Sequence, residues 1–203
     1  MSISPRPALT LAVIVAIISA LIIVMYNVTY VDTSGILTDK QSAAAIEIYG
    51  GSAEDYSVVP AEIKDESGNV TGGWQKSLAD LPDLARVLKV IEKNDGSLAF
   101  EIKTKGYKDG FEILVGVKDG AVAGVAVVST GEETPGLGTK TNDPAFLSQF
   151  SGISSEAVVV KNAPSADNEI QAVTSATFSS RGVAKAVNIA LAAYEMYTGG
   201  EQK

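Results

Sequence analysis

From Ala8 to Met25 the chain has no charged residue, no glycine and no proline, and its only polar side chains are Thr10 and Ser19. An uncharged apolar stretch of about 18–20 residues crosses a bilayer as one helix. A helix buried in a soluble core would show a polar stripe, and this one has none. Arg6 is the only basic side chain ahead of the run, and positive charge marks the cytoplasmic side. The expectation is a single-pass anchor in the lipid bilayer of the cell (inner) membrane. The N-terminus is then cytoplasmic, and everything from about Val31 onward is extracytoplasmic. Tyr26 and Tyr30 follow the run, where amphipathic rings favour the interface. A cleaved signal peptide is the alternative. Its apolar core is usually shorter and is followed by a small-x-small site, whereas here Met25-Tyr26-Asn27 follows.

The chain contains no histidine and no cysteine. No disulfide forms, and neither a thiolate nor an imidazole is available to bind a metal, so no metal site is expected. Ser-His-Asp and Cys-His catalysis are excluded, as are cysteine-held iron–sulfur clusters and histidine-ligated haem. A flavin bonded through carbon to histidine or cysteine is excluded too. Redox chemistry would have to come from a cofactor held by hydroxyls, backbone or carboxylates. The net charge of −8 argues against nucleic acid as a partner, because phosphates need a basic patch.

Beyond the anchor, the spacing predicts a helix from Thr38 to Tyr49, stopped by Gly50-Gly51. Tyr56 to Val59 reads as a short extended segment ending at Pro60, and Asp65 to Gly73 as a polar turn or loop. Residues 81–85 are ambiguous. From Arg86 the period changes to two. Val87–Lys93, the turn Asn94-Asp95-Gly96 and Leu98–Lys103 read as a hairpin. Phe111–Lys118, Asp119-Gly120 and Ala121–Ser129 repeat the pattern, so four strands make one antiparallel sheet. Pro144 to Phe150 reads as a short helix and Ala157 to Lys161 as a strand. Ser179 to Tyr197 reads as a long helix with Val183, Val187, Ala190, Leu191 and Tyr194 on one face. Ser179 and Ser180 are its expected N-cap residues, and Gly199-Gly200 its stop.

Two stretches carry chemistry. Five hydroxyl residues, Thr174, Ser175, Thr177, Ser179 and Ser180, precede or open the last helix. A helix N-terminus has unpaired amides and a partial positive charge, so it attracts phosphate. The small Ala176 would let a large anion approach. The other reading is a hydroxyl-rich helix start with no ligand. The second stretch is Glu133-Thr134-Pro135-Gly136-Leu137-Gly138-Thr139-Lys140. Pro-Gly presets a tight turn, and the next glycine permits close backbone approach. Such a loop can lay backbone groups along the edge of a flat heterocycle, with Leu137 on its face. Alone, it also reads as an ordinary connection.

Together the two stretches resemble the covalent-FMN-binding G subunit of the Rnf electron-transport complex, and the resemblance covers essentially the whole chain. It implies an α+β fold: one transmembrane helix, then an FMN-binding domain with an antiparallel sheet flanked by helices. The division it suggests is an anchor over 1–30, a helical and irregular part over 31–85 and the FMN-binding domain over 86–203. In that family the threonine closing a Ser-Gly-Ala-Thr motif is joined to the FMN phosphate as a phosphoester, and here that residue is Thr177. The resemblance assigns Glu133, Thr134, Gly136, Leu137 and Gly138 to the ring. Thr174, Ser175, Ala176 and Ser180 are assigned to the phosphate. Lys140 either offsets an anionic flavin or is a solvated loop charge. Two positions depart from the motif: Ser175 stands for its usual glycine, and Gln171 for an acidic residue.

The implied role is an electron relay in a membrane-bound, Na⁺- or H⁺-translocating ferredoxin:NAD⁺ oxidoreductase (the Rnf complex), with no activity alone. Its implied partners are the A, B, C, D and E components of the complex and the flavin transferase that attaches FMN. The alternatives are the related C component of the Na⁺-translocating NADH:quinone reductase, a pilin-like structural protein, or an anchored domain that binds a phosphorylated ligand reversibly.

Overall fold

The computed structural model describes residues 6–29 and 35–200, so Tyr30 and the Val31 boundary lie outside the described residues. The chain divides into two compact units, Met1–Ser34 and Gly35–Lys203. The first contains α1 (Arg6–Thr29), a helix of 24 residues. Its window Leu9–Tyr26 has a mean hydropathy of 2.8, and none of it is buried in the protein. A helix of that length and composition is able to cross a membrane.

In the second unit α2 (Asp39–Tyr49) starts where the sequence predicts. Thr38 caps it in a full capping box, accepting the Gln41 amide while its own amide donates to the Gln41 side chain at 2.9 Å. β1 (Tyr56–Val58) is the extended segment before Pro60. The predicted 65–73 loop needs correction, because β2 (Ile63–Lys64) pairs with β3 (Val70–Gly72) across it. Asp65 shapes the turn between them by accepting the amides of Ser67 and Asn69 at 2.9 Å. α3 (Trp74–Ser77) is a single turn, and the ambiguous 81–85 region ends in a 3₁₀ turn, Leu84–Arg86.

The two hairpins form as predicted, from β4 (Val87–Lys93), β5 (Leu98–Thr104), β6 (Phe111–Lys118) and β7 (Ala121–Ser129). Asp119 and Gly120 have φ of 53° and 77°. Two successive positive φ values mark the mirror-image turn whose twist matches paired strands. The sheet runs β1-β4-β5-β6-β7 and is antiparallel throughout. β1 thus adds a fifth strand to the predicted four, with Tyr56 opposite Lys93.

α4 (Pro144–Leu147) leads into a 3₁₀ turn, Ser148–Phe150, within the predicted helical stretch. β8 (Val158–Val160) pairs in parallel with β9 (Glu169–Gln171) as a separate small sheet.

The last helix, α5 (Thr177–Gly200), corrects the prediction at both ends. Ser179 and Ser180 lie inside its first turn and do not cap it. Ser180 donates to the Ala176 carbonyl and accepts the Val173 amide, each at 3.0 Å. Its hydroxyl therefore ties the preceding loop to the helix. At the far end the helix continues through Gly199. A helical glycine costs only about 1 kcal/mol, less than the docked turns before it supply.

Alternation along β5 and β6 gives the sheet two buried faces. Phe100, Ile102, Phe111, Ile113, Val115 and Val117 face α5 and belong to the larger core. Ala99 and Leu114 face α2, in a smaller core with Ala44, Ala45 and Ala126.

Candidate functional site

Three chain segments meet at the start of α5: the β5–β6 connection over 105–110, the loop after β7, and the loop over 173–176. Glu133 joins them. It is 5% exposed. Its Oε1 accepts the Lys108 amide at 3.0 Å, and its Oε2 accepts the Ser179 hydroxyl at 2.8 Å. A Cβ on Gly106 would collide with Oε1, and one on Gly138 would collide with Oε2. Both glycines are therefore required for a carboxylate to sit between the loops. A Cβ on Gly182 would lie 3.0 Å from the Lys105 carbonyl, so α5 also approaches the 105–110 segment closely.

Above Glu133 lies a cleft of about 210 Å³, lined by Tyr107, Glu133, Thr134, Leu137, Gly138, Ser175, Ala176, Phe178 and Ser179. Glu133, Thr134, Leu137, Gly138, Ser175 and Ala176 are candidates from the sequence, and the fold brings these two distant stretches onto one surface. The other candidates stand around it. Gly136 is at the tip of its loop, where its amide donates to Thr139 Oγ1 at 2.9 Å. Lys140 is exposed in the 3₁₀ turn Gly138–Asn142 and is not on the cleft wall. Thr174 is exposed, Thr177 is half-buried as the first residue of α5, and Ser180 is buried beneath the loop. Tyr107 and Phe178 are cleft residues that the sequence does not assign to the site, and Ser179, one of the five hydroxyl residues, lines it too. An aromatic directly after Gly106, and another inside the hydroxyl-rich stretch, are the available signals for the first two.

The 173–176 loop is a tight turn, with the Ala176 amide donating to the Val173 carbonyl at 2.9 Å. Ser175 has φ of 66°. That left-handed conformation costs an L-residue roughly 1–2 kcal/mol, which is the physical reason for a glycine at this place in the motif. The amides of Thr177, Phe178 and Ser179 open the helix, where no acceptor exists four residues back within it. They add a partial positive charge at the cleft edge.

These residues fit an FMN group. Tyr107, Leu137, Ala176 and Phe178 offer apolar surface for a flat ring, and the first amides of α5 suit a phosphate. Sites that engulf a drug-sized ligand occupy roughly 300–1,000 Å³. The present cleft is smaller and would cover only part of a flavin.

A family model described as an FMN-binding domain matches residues 106–192, a span that contains every residue lining the cleft. The G component of the Na(+)-translocating ferredoxin:NAD(+) oxidoreductase complex of Acetobacterium woodii is 30% identical over 150 residues, covering 70% of this chain and 69% of that protein. The G component of the proton-translocating ferredoxin:NAD(+) oxidoreductase complex of Clostridium ljungdahlii is 35% identical over 113 residues, covering 54% of this chain and 60% of that one. Among solved structures, the C component of the Na(+)-translocating NADH-quinone reductase from Parabacteroides distasonis aligns at a TM-score of 0.49 and 17% identity. That alignment covers 78% of this chain and 89% of that one.

Proposed function

The chain belongs to the G-component family of ion-translocating ferredoxin:NAD(+) oxidoreductase (Rnf) complexes, and on that premise we propose that it carries FMN as a phosphoester of Thr177. The observation that carries this reading is the position of Thr177. It is the first residue of α5, directly after Ser175 and Ala176 of the cleft wall. A phosphodiester at its Oγ1 has the helix amides beside it, and the cleft lies within reach for the ring.

Bound there, the flavin supplies electron acceptance and donation. The chain's own residues supply the rest. Leu137, Ala176, Tyr107 and Phe178, which line the cleft, would offer the apolar surface for the ring. Gly138 lets the 134–138 backbone come close to the ring edge. Glu133 ties its loop to the 105–110 segment and to the first turn of α5 through Lys108 and Ser179. The shallow cleft would leave part of the ring uncovered, which suits exchange of electrons with a neighbouring redox centre. The other components of the complex, A, B, C, D and E, are the proposed partners, and a flavin transferase attaches the FMN. α1 anchors the chain with its N-terminus in the cytoplasm and the cleft on the extracytoplasmic side.

Visible absorbance before and after denaturation separates this reading from its rivals. A yellow protein that keeps its colour through denaturing electrophoresis supports it. A yellow protein that releases its colour would mean reversible binding, and a colourless one a non-redox role. A protease added to right-side-out vesicles should digest the domain. Protection there, with digestion in inverted vesicles, would reverse the orientation.

A further inference from the structure

The 105–110 segment borders a second concavity, of about 290 Å³. Arg86, Lys103 and Lys105 line it against a single acid, Asp109. Three cations around one hollow run against the chain's net charge of −8. Each has an acidic neighbour: Arg86 Nε lies 2.8 Å from Asp83, Lys103 Nζ 4.0 Å from Glu112 and Lys105 Nζ 3.6 Å from Asp109. All three pairs are at the surface, where water competes and such pairs are worth little, so a better acceptor recruits the cations cheaply. The bond that positions Arg86 uses Nε, and a guanidinium has further N–H donors in a planar fork that suits oxyanions.

A second observation comes from the floor of the strand. Thr104 also lines the hollow and is 3% exposed. Its hydroxyl has no hydrogen-bond partner among the described residues. Buried hydroxyls nearly always have one.

We propose that this cleft binds a phosphate group, held by Arg86, Lys103 and Lys105, with the Thr104 hydroxyl turning about χ1 to donate to it. The lining holds three cations and one acid, while Asp83 and Glu112 pair with Arg86 and Lys103 from outside it, so an incoming phosphate has to displace those carboxylates. The cations come from the 3₁₀ turn before β4, from β5 and from the following loop. The site is separate from Thr177 and stands whether or not that residue carries FMN.

The test follows the amide chemical shifts of Lys103–Gly110 in the full chain. In maltoside micelles at low ionic strength, inorganic phosphate should give saturable shifts that chloride at equal ionic strength does not. In phosphatidylcholine nanodiscs, adding phosphatidic acid asks whether a lipid headgroup is the source. Shifts in the micelle arm identify free phosphate, and shifts in the nanodisc arm alone identify the headgroup. The double variant Arg86→Gln/Lys103→Gln should weaken binding at least about tenfold, near 1.4 kcal/mol. Thr104→Val, which keeps the shape, should weaken it less. Sheet amides away from the cleft should not move in either variant, which verifies the fold. No saturable shift in either arm, or undiminished binding in the double variant, overturns the proposal.

Discussion

Beneath α5 the strands β5 and β6 present Phe100, Ile102, Phe111, Ile113, Val115 and Val117, all fully buried. Beneath α2 the same strands present Ala99, Leu114 and Gly116, and the buried carboxylate of Glu101. The first face is bulky and, apart from Thr104 at the end of β5, apolar. It fixes α5 by volume, and so fixes the helix start that borders the cleft. The second face is lined with small residues, so α2 comes close enough for the Tyr49 hydroxyl to approach the carbonyls of Leu98 and Val117 at 2.7 and 3.1 Å. It also buries Glu101, which accepts from Gln41 Nε2 at 2.7 Å. One sheet thus has a face that depends on packing and a face that depends on close approach and polar pairing.

The largest effect should come from emptying the packed face. Phe100→Ala removes a fully buried ring and should cost about 3–5 kcal/mol in denaturant unfolding. A loss under about 1 kcal/mol would mean that the α5 face collapses easily and is not rigid. The α2 face should fail by crowding. A Cβ at Gly116 would lie 2.5 Å from Ile48 Cγ2 and 2.9 Å from the Tyr49 ring. Gly116→Ala should therefore cost about 1–3 kcal/mol while leaving flavin binding intact. Wild-type stability in that variant would break the close-approach half of the comparison.

The polar pairing predicts a pH dependence confined to the α2 face. Burial raises the Glu101 carboxyl above its ordinary value; the Gln41 hydrogen bond opposes this and the nearby Glu112 charge adds to it. A carboxyl raised in the folded state gives stability that is complete below its unfolded pKa and is lost as pH rises through the folded one. Glutamine cannot ionise. Glu101→Gln should therefore gain on wild type as pH rises above about 4. Equal stability profiles across that range would show that Glu101 is not desolvated. The smallest change should be Ser175→Gly. It relieves the left-handed strain, offset by a more flexible unfolded chain, for a net gain of about 0.5 kcal/mol. A clear loss would show that the serine side chain makes an interaction the site needs.

Alternation over seven or more residues makes β4 to β7 readable from the sequence. β2, β3 and β9 are not, because they are two or three residues set among polar and loop-forming neighbours, with no apolar run like that of β8. α3 is one turn and carries no periodicity either. The two stretches of the site are legible because a Pro-Gly turn and a hydroxyl-rich helix start are local features. Their convergence is not. Tyr107 reaches the cleft only because Gly106 lets its loop close on Glu133, and Ser179 is drawn inward by the same carboxylate. Nothing local distinguishes a serine that caps a helix from one that bonds across the fold, which is why the sequence pattern puts the start of α5 two residues late.

The attachment at Thr177 is tested most directly by the intact mass of the full chain, produced with a flavin transferase and compared with Thr177→Val. The wild-type chain should exceed its calculated mass by one FMN less one water. The variant should show the bare mass with an unchanged circular dichroism spectrum. A variant that still carries the added mass would contradict the account and move the attachment to another hydroxyl, with Thr174, Ser175, Ser179 and Ser180 the residues to examine.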